Sequence, residues 1–168
     1  GAGDVTFTGA VGGGTRLGAL QVVSADDVAA AAVTAASLVQ VDGTGTTTLG
    51  GAVNTNGALG VNIVNETIAV NAGITTTGTG IVTLNADTAT LTLLGVGDIN
   101  SDGAVNLTGA TGITTAGDVT TTGDLIEYHS ATTLSGDIAL ASAGGNVAFD
   151  STLDGTVAGT EDLTITAG

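Results

Sequence analysis

Val82-Thr83-Leu84-Asn85-Ala86-Asp87-Thr88-Ala89-Thr90-Leu91-Thr92-Leu93 is the stretch that decides how this chain folds. It holds two apolar-x-apolar pairs, Val82/Leu84 and Leu91/Leu93, nine positions apart. Each pair recurs. Leu59/Val61, Val82/Leu84 and Val105/Leu107 step by 23 positions, and so do Ile68/Val70 and Leu91/Leu93. Alternation with a period of two marks a half-buried strand, because successive side chains leave a strand on opposite faces. A repeat of about 20 to 50 residues marks a solenoid or array, whose units bury their apolar faces only against their neighbours. The stretch therefore predicts an all-β fold, a parallel β-helix or β-solenoid of stacked short strands.

Worked outward, the pairs form two series. The first is Leu20/Val22, Val39/Val41, Leu59/Val61, Val82/Leu84, Val105/Leu107, Ile126/Tyr128, Ile138/Leu140 and Leu163/Ile165. The second is Val5/Phe7, Val28/Ala30, Thr47/Leu49, Ile68/Val70, Leu91/Leu93, Ile113/Thr115, Thr133 with Leu134, and Val147/Phe149. Coils of this size number about seven or eight. At about 4.8 Å per coil the rod is on the order of 35 Å long. The rung between Ile126 and Leu140 is short and irregular. Asp26-Asp27-Val28-Ala29-Ala30-Ala31-Ala32-Val33 resembles a capped helix start, but the rung spacing runs through it and favours strand.

Composition supports a thin, layered core. The chain has 29 Gly among 168 residues, only 2% aromatics, and no Pro, Cys, Met or Trp. Its apolar residues are mostly Val, Ala, Leu and Ile, and its mean hydropathy is positive, which excludes a disordered polar chain. Zero Pro suits a continuous backbone ladder that needs every N–H. Gly, Asn and Asp at Asn56-Gly57, Asp102-Gly103 and Gly144-Gly145-Asn146 supply corners.

The net charge of −15 comes from 16 acidic residues against a single Arg. Nucleic-acid binding needs a basic footprint and is excluded. The same charge opposes anionic lipid surfaces. It suits a medium rich in divalent cations. No apolar run approaches the roughly 20 residues that span a bilayer, so membrane insertion is not expected. The longest run, Val28 to Val41, is broken by Thr34, Ser37 and Gln40. With no Cys, neither a disulfide scaffold nor a thiolate metal site is available. The opening Gly1-Ala2-Gly3, without Met, is expected of a processed product or of a segment of something longer.

Gly3-Asp4-Val5-Thr6-Phe7-Thr8-Gly9-Ala10-Val11, Ala35-Ala36-Ser37-Leu38, Gly45-Thr46-Thr47-Thr48-Leu49-Gly50-Gly51-Ala52-Val53 and Asp162-Leu163-Thr164-Ile165-Thr166-Ala167-Gly168 carry a Gly-x-Val-x-Leu-x-Gly rhythm. In this they resemble the β-strand repeats of filamentous-haemagglutinin-like and autotransporter-passenger-like bacterial surface proteins. The resemblance covers nearly the whole chain. It implies a right-handed parallel β-helix and export to the bacterial cell surface. It implies a stalk, filament, matrix or adhesive role, with a host or surface glycan receptor as the partner in the adhesive case. No secretion domain accompanies the repeats, so the export route is not carried over.

Few residues suggest chemistry. Asp98-Ile99-Asn100-Ser101-Asp102-Gly103 matches the first half of a calcium loop, with Asp98, Asn100 and Asp102 as candidate ligands. The twelfth position is Gly109, where a bidentate carboxylate is expected; the bland reading is an Asx-rich corner. Thr-x-Thr recurs at Thr6/Thr8, Thr46/Thr48, Thr75/Thr77, Thr88/Thr90/Thr92, Thr120/Thr122 and Thr164/Thr166. Such ladders resemble ice-binding faces, against the plainer reading of outward β-branched stacking. Glu127 and His129 share one strand face beside the single Tyr128, which is weak evidence for acid–base chemistry. Gly12-Gly13-Gly14 lacks the Lys of a phosphate loop. No catalytic residue and no required cofactor is assigned, and a β-helix polysaccharide-degrading enzyme is the remotest alternative.

The ends complete the reading. Leu163/Ile165 closes the chain and Val5/Phe7 opens it, and in a second copy following directly Val5 would lie ten positions after Leu163. Ile138 and Val147 are nine apart. Neither end carries the polar cap that a solenoid normally needs. Residues 1–168 are thus expected to be one β-solenoid segment, a unit of a longer array or of a head-to-tail filament. Val5, Phe7, Leu163 and Ile165 would be its joining residues. The expected partner is itself or flanking repeats. The expected role is a structural unit of an extracellular bacterial filament, stalk or adhesin, with a calcium-stabilised S-layer-like matrix or an ice-binding solenoid as alternatives.

Overall fold

The computed structural model describes residues 3–168, and among them every regular element is a β-strand. In chain order these begin with β1 (Val5–Phe7), β2 (Leu17–Val22), β3 (Val28–Ala30), β4 (Val33–Gln40), β5 (Thr46–Leu49), β6 (Val53–Thr55) and β7 (Val61–Asn65). They continue with β8 (Thr67–Val70), β9 (Ile74–Thr76), β10 (Val82–Ala86), β11 (Thr90–Leu93), β12 (Ile99–Ser101), β13 (Val105–Gly109) and β14 (Gly112–Thr115). The last are β15 (Val119–Thr121), β16 (Ile126–Tyr128), β17 (Thr132–Leu134), β18 (Ile138–Ala141), β19 (Val147–Phe149), β20 (Leu153–Gly155) and β21 (Leu163–Thr166).

All the pairings are parallel and join each strand to its counterpart one coil away. The result is a β-solenoid with three faces. The first face is the eight-stranded sheet β1-β3-β5-β8-β11-β14-β17-β20. The second runs from the first half of β4 through β6, β9, β12, β15 and β18 to β21. The third runs from β2 and the second half of β4 through β7, β10, β13 and β16 to β19. The long β4 passes through the corner between faces two and three. The Ala-rich Val28–Val33 stretch is not helical: it is β3, a corner at Ala31 and Ala32, and the first residue of β4, as the spacing indicated.

Three faces, not two, correct the series read from the sequence. Val5/Phe7 through Ile113/Thr115 form the first face in register, but its next pairs are Thr132/Leu134 and Leu153/Gly155. The third face runs Leu20/Val22, Leu38/Gln40, Val61/Ile63, Val82/Leu84, Val105/Leu107, Ile126/Tyr128 and Val147/Phe149. Val39/Val41 is therefore one residue out of register, and Leu59/Val61 is displaced by two. Ile138/Leu140 and Leu163/Ile165 belong to the second face, with Val33, Val53, Ile74, Ile99 and Val119. That face was hidden because most of its strands carry only one large apolar residue: the second inward position is Thr55, Thr76, Ser101 or Thr121.

Most of the core is one cluster of mainly aliphatic layers that includes Val61, Ile68, Ile74, Leu84, Leu91, Leu93, Ile99 and Leu107, and a small second cluster of Val22, Ala25 and Val28 lies at the first end. At the corner between faces two and three the buried hydroxyls form a ladder. Thr76 and Ser101 lie 3.1 Å apart, and Ser101 donates to the Gly80 carbonyl (3.1 Å). Thr121 donates to the Asp124 carbonyl at 2.6 Å, closing the turn that follows β15. These bonds satisfy turn carbonyls that a purely apolar corner would leave buried and unpaired.

Candidate functional site

The end coils hold Val5, Phe7, Leu163 and Ile165, the residues expected from the sequence to join copies. At the first end β1 pairs with β3, through bonds such as Val5 N–H to the Asp27 carbonyl (2.8 Å), and among the described residues its other edge has no strand partner. Phe7, Val11 and Leu20 are half-buried against the core, and Val5 packs on the small cluster of Val22, Ala25 and Val28. At the second end Val147, Phe149, Leu153 and Leu163 are half-buried in the same way, and Ile165 is 46% exposed. Both ends thus show an apolar layer beneath an unpaired edge, a combination that templates further pairing.

The four joining residues sit on different faces: Val5 and Phe7 on the first, Leu163 and Ile165 on the second. The second end is stepped. Faces one and two finish with β20 and β21, whereas face three finishes one coil lower with β19. Ile138 and Val147, whose spacing prompted the comparison of ends, lie on faces two and three.

The candidate calcium ligands are not arranged as a loop. Asp98 precedes β12, Asn100 lies within it and Asp102 follows it, so the three are strung along an extended segment. Four strand residues cover about 13 Å, which prevents convergence on one ion. The two carboxylates already accept other bonds. Asp98 Oδ1 accepts the Asp118 N–H (3.0 Å). Asp102 Oδ2 accepts the Thr79 N–H (2.7 Å), and Asp102 Oδ1 accepts the Thr122 hydroxyl (3.0 Å). These bonds, that to the Thr79 amide above all, hold the Asp102 carboxyl below its usual value. Around them Thr75, Thr77, Asn100, Asp102, Thr120 and Thr122 line a shallow groove of about 280 Å³ on the second face.

A second polar cluster lies on the outside of the third face. His129 follows β16 directly and Asp150 follows β19, so the parallel register of β16 and β19 stacks them. His129 Nδ1 is 2.8 Å from Asp150 Oδ2, and His129 Nε2 is 3.5 Å from Glu127 Oε2. The pairing of Glu127 with His129 was legible from strand alternation. Asp150, 21 residues away, was not; only the register of Tyr128 with Phe149 reveals it.

The Thr pairs divide between faces. Thr46/Thr48 and Thr90/Thr92 stand on the first face in columns with Thr67, Ala69, Gly112 and Thr114. Thr75 and Thr120 stand on the second face, separated by Asn100.

No protein-family model, no curated protein and no solved structure matches the chain.

Proposed function

We propose that the chain is a structural unit of an extracellular bacterial filament, stalk or adhesin, lengthened by stacking coil on coil at its ends. The observation that carries this reading is the parallel ladder along all three faces, whose apolar layers run on into both end coils. Each presents half-buried apolar side chains and an unpaired strand edge, and the step on the third face leaves room for one more strand. An incoming β1 fills that step, so each copy is turned by one face relative to the last. The same geometry serves a flanking repeat of the same polypeptide. The rod between the ends carries the load: parallel ladders run along all three faces, and the outward Thr, Asn and Asp keep it wetted.

Negative-stain electron microscopy and sedimentation at rising concentration test this reading. The expected result is unbranched filaments about one solenoid wide, with mass increasing in whole subunits. Strictly monomeric material at high concentration and raised salt would overturn the self-stacking form.

An ice-binding solenoid is a second reading, favoured by the aligned Thr columns of the first face. Ala29, Ala69 and Gly112 interrupt those columns, which places this reading behind the first. Thermal hysteresis of a dilute solution, with ice crystals shaped by the protein, would reverse the order.

A further inference from the structure

We infer that His129 Nε2 and Glu127 form a surface site for a zinc-like divalent ion, with Asp150 as the positioning residue. Three features of the geometry lead there. An ionised carboxylate only accepts hydrogen bonds, so the 2.8 Å contact with Asp150 Oδ2 places the imidazole proton on Nδ1. In the neutral imidazole Nε2 then carries the unprotonated lone pair, 3.5 Å from Glu127 Oε2. It is the arrangement in which a carboxylate fixes the tautomer of a metal-binding histidine.

The second feature is the distance from Nε2 to Glu127 Oε2, 3.5 Å. That is too long for a hydrogen bond of good strength. Ligands about 2.1 Å from a tetrahedral zinc are about 3.4 Å apart, so the two atoms already stand at a ligand-to-ligand separation. The third is that all three side chains offer an atom within 4.8 Å of the others while remaining partly open to solvent.

One imidazole nitrogen with carboxylate oxygen suits zinc and its neighbours, whereas calcium and magnesium select all-oxygen shells. Two protein ligands leave two positions for water, or for a donor on another molecule. The parallel ladder explains the construction. Glu127 and His129 leave one strand on the same side two residues apart, and Asp150 arrives from the next coil. The site does not depend on the assembly reading above.

Calorimetric titration of the full chain with zinc chloride, alongside calcium chloride, tests the site. One zinc per chain is expected, with no saturable calcium heat in the same range. His129→Ala and Glu127→Gln should each weaken zinc by at least about tenfold, and Asp150→Asn by about 10- to 100-fold. Nitrogen-15 spectra of the single imidazole should show zinc on Nε2 and the proton on Nδ1. Should a variant lose its strand-rich circular dichroism, carbethoxylation of His129 in the unaltered protein substitutes, and zinc must slow it. Undiminished zinc affinity in folded His129→Ala, zinc on Nδ1, or an unprotected imidazole at saturating zinc would overturn the assignment.

Discussion

The carboxylate of Asp102 accepts the backbone N–H of Thr79, 2.7 Å away and one coil below. Thr79 has φ of +62°, a left-handed conformation that costs a β-branched residue energy. Asp102 also accepts the Thr122 hydroxyl from one coil above. A single carboxylate therefore ties three successive coils and holds a strained turn.

The bond to Thr79 lowers the folded-state value of Asp102 below its ordinary 3.8. The associated stability is fully present above that value and is lost as pH falls through the lower folded one. The expected outcome is a Tm deficit in Asp102→Ala that is largest near neutral pH and closes below about pH 4. Asp102→Asn, which keeps an acceptor but no charge, should show a smaller deficit that closes over the same acidic range, because the titrating carboxylate is absent from both variants. Melting curves from neutral to strongly acidic buffers check both.

Tyr128 stacks on Phe149 with ring centroids 4.7 Å apart, and its hydroxyl has no hydrogen-bond partner among the described residues. Thr115, nearby, directs its own hydroxyl to the Gly117 carbonyl. Burial pushes the Tyr128 phenol far above its ordinary 10.0. As the single tyrosine, it should form no tyrosinate in the native protein near pH 10 to 11; tyrosinate absorbance should appear only with unfolding. Below pH about 10 the group is neutral in both states, and above it the unfolded chain ionises first, so stability falls. Tyr128→Phe should remove this alkaline loss and stabilise the protein by about 1 kcal/mol, because a buried unpaired hydroxyl disappears. Urea denaturation on both sides of pH 10 reads the effect.

Gly60 turns the chain from β6 to β7 at φ of +56°, where a Cβ would lie 2.0 Å from the Ile81 carbonyl oxygen. Because that atom belongs to a laddered backbone, it cannot move aside as a flexible side chain would. Gly60→Ala should cost more than about 2 kcal/mol. Gly14, with nothing near its Cβ position, is the matched control and should change by less than about 0.5 kcal/mol on conversion to Ala. Equilibrium unfolding of the two variants separates them.

Like charge opposes end-to-end stacking, since each copy carries −15. Association should therefore strengthen as salt rises from about 0.01 to 0.15 M, over which the screening length falls from about 30 to 8 Å. Leu163→Asp with Ile165→Asp should abolish it while leaving the interior coils folded, because both side chains lie at the open edge. Light scattering against salt, with circular dichroism as the folding control, measures the outcome.

Much of this architecture was legible in the residues. The 23-residue step of Val82/Leu84 to Val105/Leu107 and of Ile68/Val70 to Leu91/Leu93 is kept residue for residue in the ladders. The hydrophobic period reports stacking directly, since inward positions must align from coil to coil. Leu38 and Val39 show where that signal fails. Both are apolar and adjacent, so alternation alone cannot say which turns inward. The structure buries Leu38 and Gln40, the latter accepting the Thr47 hydroxyl at 2.6 Å. Gln40 is buried against what hydropathy suggests, and its one recorded side-chain bond is to Thr47, seven residues away.

The sequence by itself determined that the chain is a stack of short strands with a thin aliphatic core, because period-two alternation and coil-length repetition are local, additive signals. The three faces, and the placement of Asp98, Asn100 and Asp102 along one extended strand segment, came from the tertiary structure alone. It alone brought Asp150 to His129. Each of these rests on register between coils about 20 residues apart, and register is set by which backbone groups and corner hydroxyls find partners across the ladder.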